Sequence, residues 1–277
     1  MNKVKQEGKV ILVGAGPGDP ELLTLKALRY LQKADVVLTD RLVSETILHE
    51  YVSKDAEIVY VGKQCRRGIS TPQVTINDLL VEFAQEGKLV VRLKGGDVSI
   101  FSNILDELQT LVENNIPYEI VPGVTAALGA AAYAGMPLTA RNYSTAVRFL
   151  TSYKSDIVTP EYWKELANTD DTLVFYMSSE TLAGVVENLV SNNIAEDKLL
   201  AVVEQATTPL QQVHICNLYE YEDKLAKKKF ISPSLVIIGK VVALHDQFNW
   251  LNNHNNTRKT YFNSNENLPS INKAARA

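Results

Sequence analysis

Short apolar runs alternate with helically spaced apolar residues through most of this chain. Residues 10–13, Val-Ile-Leu-Val, are continuous and β-branched, which predicts a central parallel strand covered on both faces. Leu22, Leu23, Leu25, Leu28 and Leu31 then fall at helical spacing over 20–33, with Thr24 and Lys26 opposite, and predict a first helix. Residues 34–38 and 57–61 predict two further strands, and Ser44 is a candidate cap for a helix over 45–51. Thr71-Pro72 opens a helix whose apolar face is Ile76, Leu79, Leu80 and Phe83 and whose stop is Gly87. A strand at 89–93, a helix over 104–114 and a strand at 118–121 complete the first series.

Residues 126–134 are dense in alanine and glycine, which predicts a helix packed closely against a neighbour. From Val147 the alternation restarts, with strands at 147–151, 172–176, 199–203 and 235–239 and a helix over 182–192, and without a sequence repeat of the first half. The fold class is therefore α/β in two domains, 1–124 and 125–246. Past His245 the apolar periodicity stops, and the asparagine-rich stretch 247–277 is expected to be a disordered polar tail.

Polar residues arrive abruptly where these strands end, which is where open α/β sheets place their sites. The first strand runs into Gly14-Ala15-Gly16-Pro17-Gly18-Asp19, whose glycines permit positive φ and close approach to the main chain. Pro17 fixes φ and deletes an N–H, so the turn is rigid. Further polar loops are Thr39-Asp40-Arg41, Gly62-Lys63-Gln64, Lys94-Gly95-Gly96-Asp97, Pro122-Gly123-Val124-Thr125, Met177-Ser178-Ser179 and Glu204-Gln205-Ala206-Thr207. A bound ligand is expected at the glycine turn.

Composition narrows the choice of ligand. The hydrophobic content of 45% supplies real cores, and 28 basic against 32 acidic residues give a net charge of -4. No overall positive field draws nucleic acid or an anionic membrane, so an anionic ligand must be held by a local cluster. The chain has no apolar run long enough to span a bilayer, and its first residues lack an apolar signal core, so the expected location is the cytoplasm. Cys65 and Cys216 form no Cys-x-x-Cys pair, and the histidines at 49, 214, 245 and 254 form no His-x-x-x-His pair, so no metal is expected.

Taken together, the loops resemble the S-adenosylmethionine-dependent methyltransferases that act on tetrapyrroles, and within them the uroporphyrinogen-III C-methylating branch. The resemblance rests on Val13-Gly14-Ala15-Gly16-Pro17-Gly18-Asp19-Pro20-Glu21-Leu22-Leu23-Thr24, Asp40-Arg41-Leu42-Val43-Ser44, Val61-Gly62-Lys63 and Val91-Arg92-Leu93-Lys94-Gly95-Gly96-Asp97. Val121-Pro122-Gly123-Val124-Thr125-Ala126, Ala134-Gly135-Met136-Pro137-Leu138-Thr139, Phe175-Tyr176-Met177 and Ser232-Pro233 follow in the family's order. The resemblance implies two α/β domains with the cofactor cleft between them, a homodimer, S-adenosyl-L-methionine as cofactor, and methylation of uroporphyrinogen III to precorrin-2 on the way to sirohaem or a cobalamin. It also implies roles: Pro17, Gly95, Gly96, Asp97, Ile100, Thr125, Ala126, Met177 and Ala206 line the cofactor pocket, and Asp40 and Lys63 act as proton acceptor and donor. Arg41 and Arg141, with Arg66 and Arg67, are candidate clamps for the substrate's carboxylates. The alternatives are a helix-capping or Arg41-paired Asp40, a Lys63 that only holds a carboxylate, and solvated surface charge at Arg66 and Arg67.

The sequence departs from the family pattern in two places. Val98-Ser99-Ile100-Phe101-Ser102-Asn103 stands where the family has a proline, a glycine and a basic residue, and Ala140 stands where a histidine is usual. Loss of the proline predicts a less ordered loop, and the altered residues bear on the substrate more than on the cofactor. Two other readings therefore stay open: a methyltransferase for another precorrin-type tetrapyrrole, and a non-catalytic relative that binds tetrapyrrole or cofactor. Asp40 also stands where a ribose-binding acid would in a nicotinamide enzyme, but Pro17 and Asp19 interrupt that motif. The glycine turn lies close to the first residue, so no dehydrogenase or chelatase module is expected ahead of it.

Overall fold

The computed structural model describes residues 8–61, 72–151, 159–177, 180–253 and 259–262. The chain divides into two compact units, one holding the residues up to Thr125 together with Phe262 and one spanning Ala126–Tyr261.

The first unit alternates strands and helices: β1 (Lys9–Gly14), α1 (Leu25–Leu31), β2 (Val36–Thr39), α2 (Glu45–Glu50), β3 (Glu57–Tyr60), α3 (Gln73–Gln85), β4 (Leu89–Lys94), α4 (Ile104–Glu113) and β5 (Tyr118–Val121). Its sheet has the order β3-β2-β4-β1-β5, and every pairing is parallel. Strand period sorts the core into two layers. Ile11, Val13, Val37, Val91 and Leu93 pack with Ala27, Leu31, Ile47 and Leu48 of α1 and α2. Val10, Leu12, Val36, Leu38 and Val90 pack with Ile76, Leu80, Phe83 and Leu111 of α3 and α4. Both faces are covered, as a parallel sheet of continuous apolar strands requires.

Local signals explain where the elements deviate from expectation. The predicted first helix is split: Asp19 and Pro20 begin a short 3-10 turn over Pro20–Leu22, and Leu23 is extended. Thr24 then caps α1, its Oγ1 accepting the Ala27 N–H at 3.2 Å. Ser44 occupies the N-cap of α2 without making a side-chain cap bond.

The second unit contains α5 (Ala126–Tyr133), β6 (Val147–Thr151), α6 (Pro160–Asn168), β7 (Thr172–Tyr176), α7 (Leu182–Ser191), β8 (Leu199–Glu204), β9 (Gln212–Asn217) and β10 (Ser234–Gly239). The sheet order is β6-β7-β10-β8-β9, with β6 parallel to β7 and β10 antiparallel to both β7 and β8. β7 and β8 therefore end at one edge of the sheet, where β10 begins. Trp163, Leu166, Leu182, Val185 and Leu189 of α6 and α7 cover Leu173, Phe175, Leu200, Val202, Val236 and Ile238.

Some described residues of the stretch expected to be a polar tail are bonded to the second unit. The Trp250 indole N–H donates to the Ala132 carbonyl, and the Asn253 amide exchanges two bonds with the backbone of Val213 on edge strand β9. Side-chain amides can replace a neighbouring strand, and low hydrophobicity does not reveal such pairing.

Candidate functional site

In the first sheet, β1 and β4 are neighbours, yet the chain leaves β1 toward α1 on one face and β4 toward α4 on the other. That is a topological switch point, where open parallel sheets bind ligands. The two glycine loops meet there. The Gly16 N–H donates to the Gly96 carbonyl at 3.1 Å, the Gly96 N–H donates to the Gly16 carbonyl at 2.7 Å, and the Ala15 N–H donates to the Lys94 carbonyl at 2.8 Å. Gly16 and Gly96 both have positive φ, 78° and 71°, the conformation that favours glycine.

The glycines also serve backbone packing. A Cβ on Gly14 would lie 2.6 Å from the Gly96 oxygen and 2.6 Å from the Gly123 nitrogen, and one on Gly95 would lie 2.7 Å from the Leu42 Cβ. Asp97 ties these loops together: one carboxylate oxygen accepts the Gly123 N–H at 2.9 Å and the other accepts the Ser99 N–H at 2.7 Å. Pro17 is buried beside this junction in the chain, while Gly95, Gly96, Asp97 and Ile100 are half-buried.

The altered loop after Asp97 is knitted more tightly than its missing proline predicts. Val98 is fully buried and its carbonyl accepts the Ser102 hydroxyl. Asn103 adopts φ 54° at the start of α4 and donates its side-chain amide to Asp106 at 2.9 Å. Asparagine tolerates this left-handed conformation better than most residues, so it can occupy a turn where the family's pattern differs.

Asp40 follows β2. Its Oδ1 accepts the Leu42 N–H at 3.0 Å, and its Oδ2 lies 4.0 Å from Arg92 Nη2. Behind it stands a buried ion cluster that sequence reading missed. Arg92 and Lys94 project from β4 onto the α4 face, and Glu107 receives Arg92 Nε at 3.0 Å and Lys94 Nζ at 3.0 Å. Glu107 is completely buried and the two cations nearly so. Burial and the neighbouring Arg92 hold the Lys94 ammonium below its ordinary pKa, against the attraction of Glu107. Arg92 also donates to the Leu38 and Leu93 carbonyls, at 3.3 and 3.1 Å. The available signal was two cations at alternate positions in an otherwise apolar strand.

The second unit gathers other candidates at the edge where β7 and β8 end. Met177, directly after β7, is half exposed with φ 54°. Ala206, two residues after β8, is buried between Gln205 and Thr207, whose φ values of 48° and 65° are also left-handed. Such conformations in non-glycine residues cluster at binding sites. Ala126 opens α5, and the next N–H, from Ala127, donates to the Tyr176 hydroxyl at 3.1 Å, joining α5 to the end of β7. Arg141 is exposed at the tip of a turn closed by Ala140 and Ser144. Thr125 is buried at the end of the first unit, and Arg41 is half-buried beside Asp40 in the chain. Lys63, Arg66 and Arg67 lie outside the described residues. Among the described residues, no group of His, Cys, Asp and Glu is arranged to hold a metal ion, and no helix is long and apolar enough to cross a membrane.

Residues 9–222 match the family model of the tetrapyrrole (corrin/porphyrin) methylases. The siroheme synthases of Vesicomyosocius okutanii and Acinetobacter baylyi are 47% and 49% identical over 245 residues, which is 88% of this chain in each case. Those alignments cover 52% and 53% of the relatives, so the chain spans about half the length of the curated relatives it matches. A solved uroporphyrin-III C-methyltransferase from Thermus thermophilus matches with TM-score 0.72 and 35% identity, over 90% of this chain and 99% of that one. Its complex with S-adenosyl homocysteine gives 0.71 and 36%, over 85% and 93%. A cobalt precorrin-4 methyltransferase gives 0.73 and 29%, over 84% and 95%.

Proposed function

This chain belongs to the tetrapyrrole methylase family, and we propose that within it the protein carries methyl groups from S-adenosylmethionine to ring carbons of uroporphyrinogen III, forming precorrin-2 for sirohaem or a cobalamin. The observation that carries this reading is the paired Gly16 and Gly96 backbone at the β1–β4 switch point, one strand away from Asp40. The solved relative with S-adenosyl homocysteine supports the cofactor.

The described residues suit such a ligand. The loop from Gly14 to Asp19 carries no cation, and the Lys94 ammonium at the end of neighbouring β4 is buried against Glu107. This donor set favours a sulfonium with a nucleoside end over a diphosphate, which needs free N–H groups or cations. Gly95, Gly96, Ile100, Thr125, Ala126 and Ala206 are assigned to the cofactor with Pro17, and Met177 supplies a soft apolar wall. Asp97 contributes through the loops it ties.

S-adenosylmethionine supplies an electrophilic methyl group. A pyrrole carbon is already nucleophilic, so the protein's main task is positioning, worth up to about 7–11 kcal/mol in favourable intramolecular cases. Methylation leaves positive charge on the macrocycle and a proton that must depart. Asp40 is assigned as the group that offsets the charge and accepts the proton, with Lys63 as donor and Arg41 and Arg141 as carboxylate clamps. A homodimer completes the reading, supported by the exposed Tyr118 and Ile120 on edge strand β5.

Purified protein incubated with S-adenosylmethionine and enzymatically generated uroporphyrinogen III should yield S-adenosylhomocysteine and the spectrum of the oxidised, methylated macrocycle. Consumption of neither substrate would refute the proposal. The loop from Val98 to Asn103 favours one second reading, in which another precorrin-type tetrapyrrole is the acceptor, and turnover of that acceptor alone would select it.

A further inference from the structure

The loop that carries Ala206 is held from outside its own sheet. Gln205 is 1% exposed, and its side-chain amide is used on both sides: Oε1 accepts the Tyr261 N–H at 2.7 Å, and Nε2 donates to the Lys259 carbonyl at 3.1 Å. The two partners are alternate residues of one segment, the spacing at which a strand offers its N–H and C=O to a neighbour. Earlier in that segment Asn253 does the same to the edge strand β9, its Oδ1 accepting the Val213 N–H at 2.7 Å and its Nδ2 donating to the Val213 carbonyl at 3.0 Å. The Trp250 ring lies tilted against Tyr133, with centroids 5.2 Å apart, and its indole N–H donates to the Ala132 carbonyl.

Other bonds tie the loop to itself and to the residue that precedes β10. The Gln205 N–H donates to the Pro233 carbonyl at 2.8 Å, the Gln205 carbonyl accepts the Thr208 hydroxyl at 2.8 Å, and the Thr207 N–H donates to Gln211 Oε1 at 2.8 Å. The Gln205 side chain links this loop to residues beyond 250. Released from Lys259 and Tyr261, it would be a buried amide with both polar atoms unsatisfied at a left-handed backbone position, and the loop would have to rearrange to hydrate it.

We infer that the described strap residues, Trp250 to Asn253 and Lys259 to Tyr261, form a positioning element for the Ala206 loop, so that S-adenosyl-ligand affinity depends on the strap's docking through Gln205. The affinity half of this inference rests on the assignment of Ala206 to the cofactor, while the positioning half stands on the hydrogen bonds alone.

The test uses full-length protein. Tyr261→Pro deletes the N–H that Gln205 accepts, and Asn253→Ala removes the clamp on Val213 as a milder second variant. Arg148→Ala is the control: it breaks ion pairs to Glu165 and Asp171 at the opposite edge of the same sheet. Calorimetric titration with S-adenosylhomocysteine should show Kd raised about 10-fold in Tyr261→Pro, the ratio expected for one lost hydrogen bond of ordinary strength, with a smaller rise in Asn253→Ala and none in Arg148→Ala. Amide hydrogen exchange over 206–211 should quicken in the two strap variants alone. Unchanged affinity and exchange in both, with the wild type binding normally, would overturn the inference. Should Tyr261→Pro not fold, Asn253→Ala decides by the same two readouts. If the wild type itself binds no S-adenosylhomocysteine, the cofactor reading has failed, and exchange over 206–211 alone decides whether the strap positions the loop.

Discussion

Arg92 places its Nη2 4.0 Å from Oδ2 of Asp40, so the carboxylate assigned to proton transfer stands beside a fixed, buried opposite charge. The other Asp40 oxygen is spent on the Leu42 N–H, which sets the side chain's direction at the end of β2. Asp40 is thereby both a turn residue and a charge at the sheet edge, and its pairing is with Arg92 on the neighbouring strand.

Asparagine at position 40 separates these roles, because its amide oxygen can still accept the Leu42 N–H. Asp40→Asn should therefore keep the fold and the S-adenosylhomocysteine affinity while kcat falls roughly 100-fold or more. Steady-state rates and calorimetry check both halves, and normal turnover would reduce Asp40 to a turn residue.

Glu107 neutralises two buried cations, and removing it leaves both without their carboxylate. Glu107→Leu should destabilise the protein by roughly 3–5 kcal/mol, the usual cost of an uncompensated buried charge, and Glu107→Gln should lie between it and the wild type. Replacing Arg92, Lys94 and Glu107 together by apolar residues of similar volume should recover most of that stability while abolishing turnover. Urea denaturation followed by circular dichroism measures the first effect.

These two cases show where the sequence is informative. β1 and β2 could be located because a parallel strand buried on both faces is a continuous apolar run, and the loop after β1 could be located because glycine clusters there. The pairing of Arg92 and Lys94 could not be read, since nothing local announces that Glu107, in the next helix, lies opposite them. Edge strand β9 escaped notice because Gln212, His214 and Asn217 weaken its apolar pattern, and the strap escaped because its contacts are amide-to-backbone bonds between residues distant in sequence. α6 was missed for a related reason: only Trp163, Leu166 and Ala167 of its residues are buried.

The glycine turn can be dissected by alanine. A Cβ on Gly14 would meet backbone atoms of Gly96 and Gly123 at 2.6 Å, whereas a Cβ on Gly16 finds its nearest neighbour, the Leu22 oxygen, at 3.4 Å. Gly14→Ala should thus cost about 1–3 kcal/mol or more through forced backbone movement. Gly16→Ala should cost about 1 kcal/mol from its positive φ alone. Thermal denaturation ranks the two, and a larger loss at Gly16 would contradict the close packing of β1, β4 and β5.

Acid should find a different weak point. Glu119 accepts hydrogen bonds from Lys26 at 2.5 Å, Lys9 at 2.8 Å and the Tyr30 hydroxyl at 2.6 Å, which lower its pKa from 4.5 to about 2. With the folded value below the unfolded one, the unfolded state binds more protons in that window. The contribution is complete above about pH 4.5 and is lost as pH falls toward 2. Glu119→Gln should be less stable than wild type at neutral pH and lose less stability on acidification. Parallel denaturation curves at all pH values would show that the cluster is not coupled to folding.

The altered loop after Asp97 yields the last prediction. Ser102 and Asn103 stand where the family pattern has glycine and arginine, and Val98 stands where it has proline. The loop is nevertheless held, by the Ser102 hydroxyl on the Val98 carbonyl and by Asn103 on Asp106, so what it lacks is a guanidinium. A charged hydrogen bond to a substrate carboxylate is worth about 1.5–3 kcal/mol. Combining Val98→Pro, Ser102→Gly and Asn103→Arg should lower KM for uroporphyrinogen III without changing S-adenosylhomocysteine affinity. It should also lower Tm, because arginine at φ 54° is more strained than asparagine and the Ser102 bond is gone. A joint fall in KM and Tm would identify the loop as a site where substrate recognition was exchanged for local order. A KM that stays level or rises would instead mean that the loop is adapted to a different tetrapyrrole, and the second acceptor reading would replace the first.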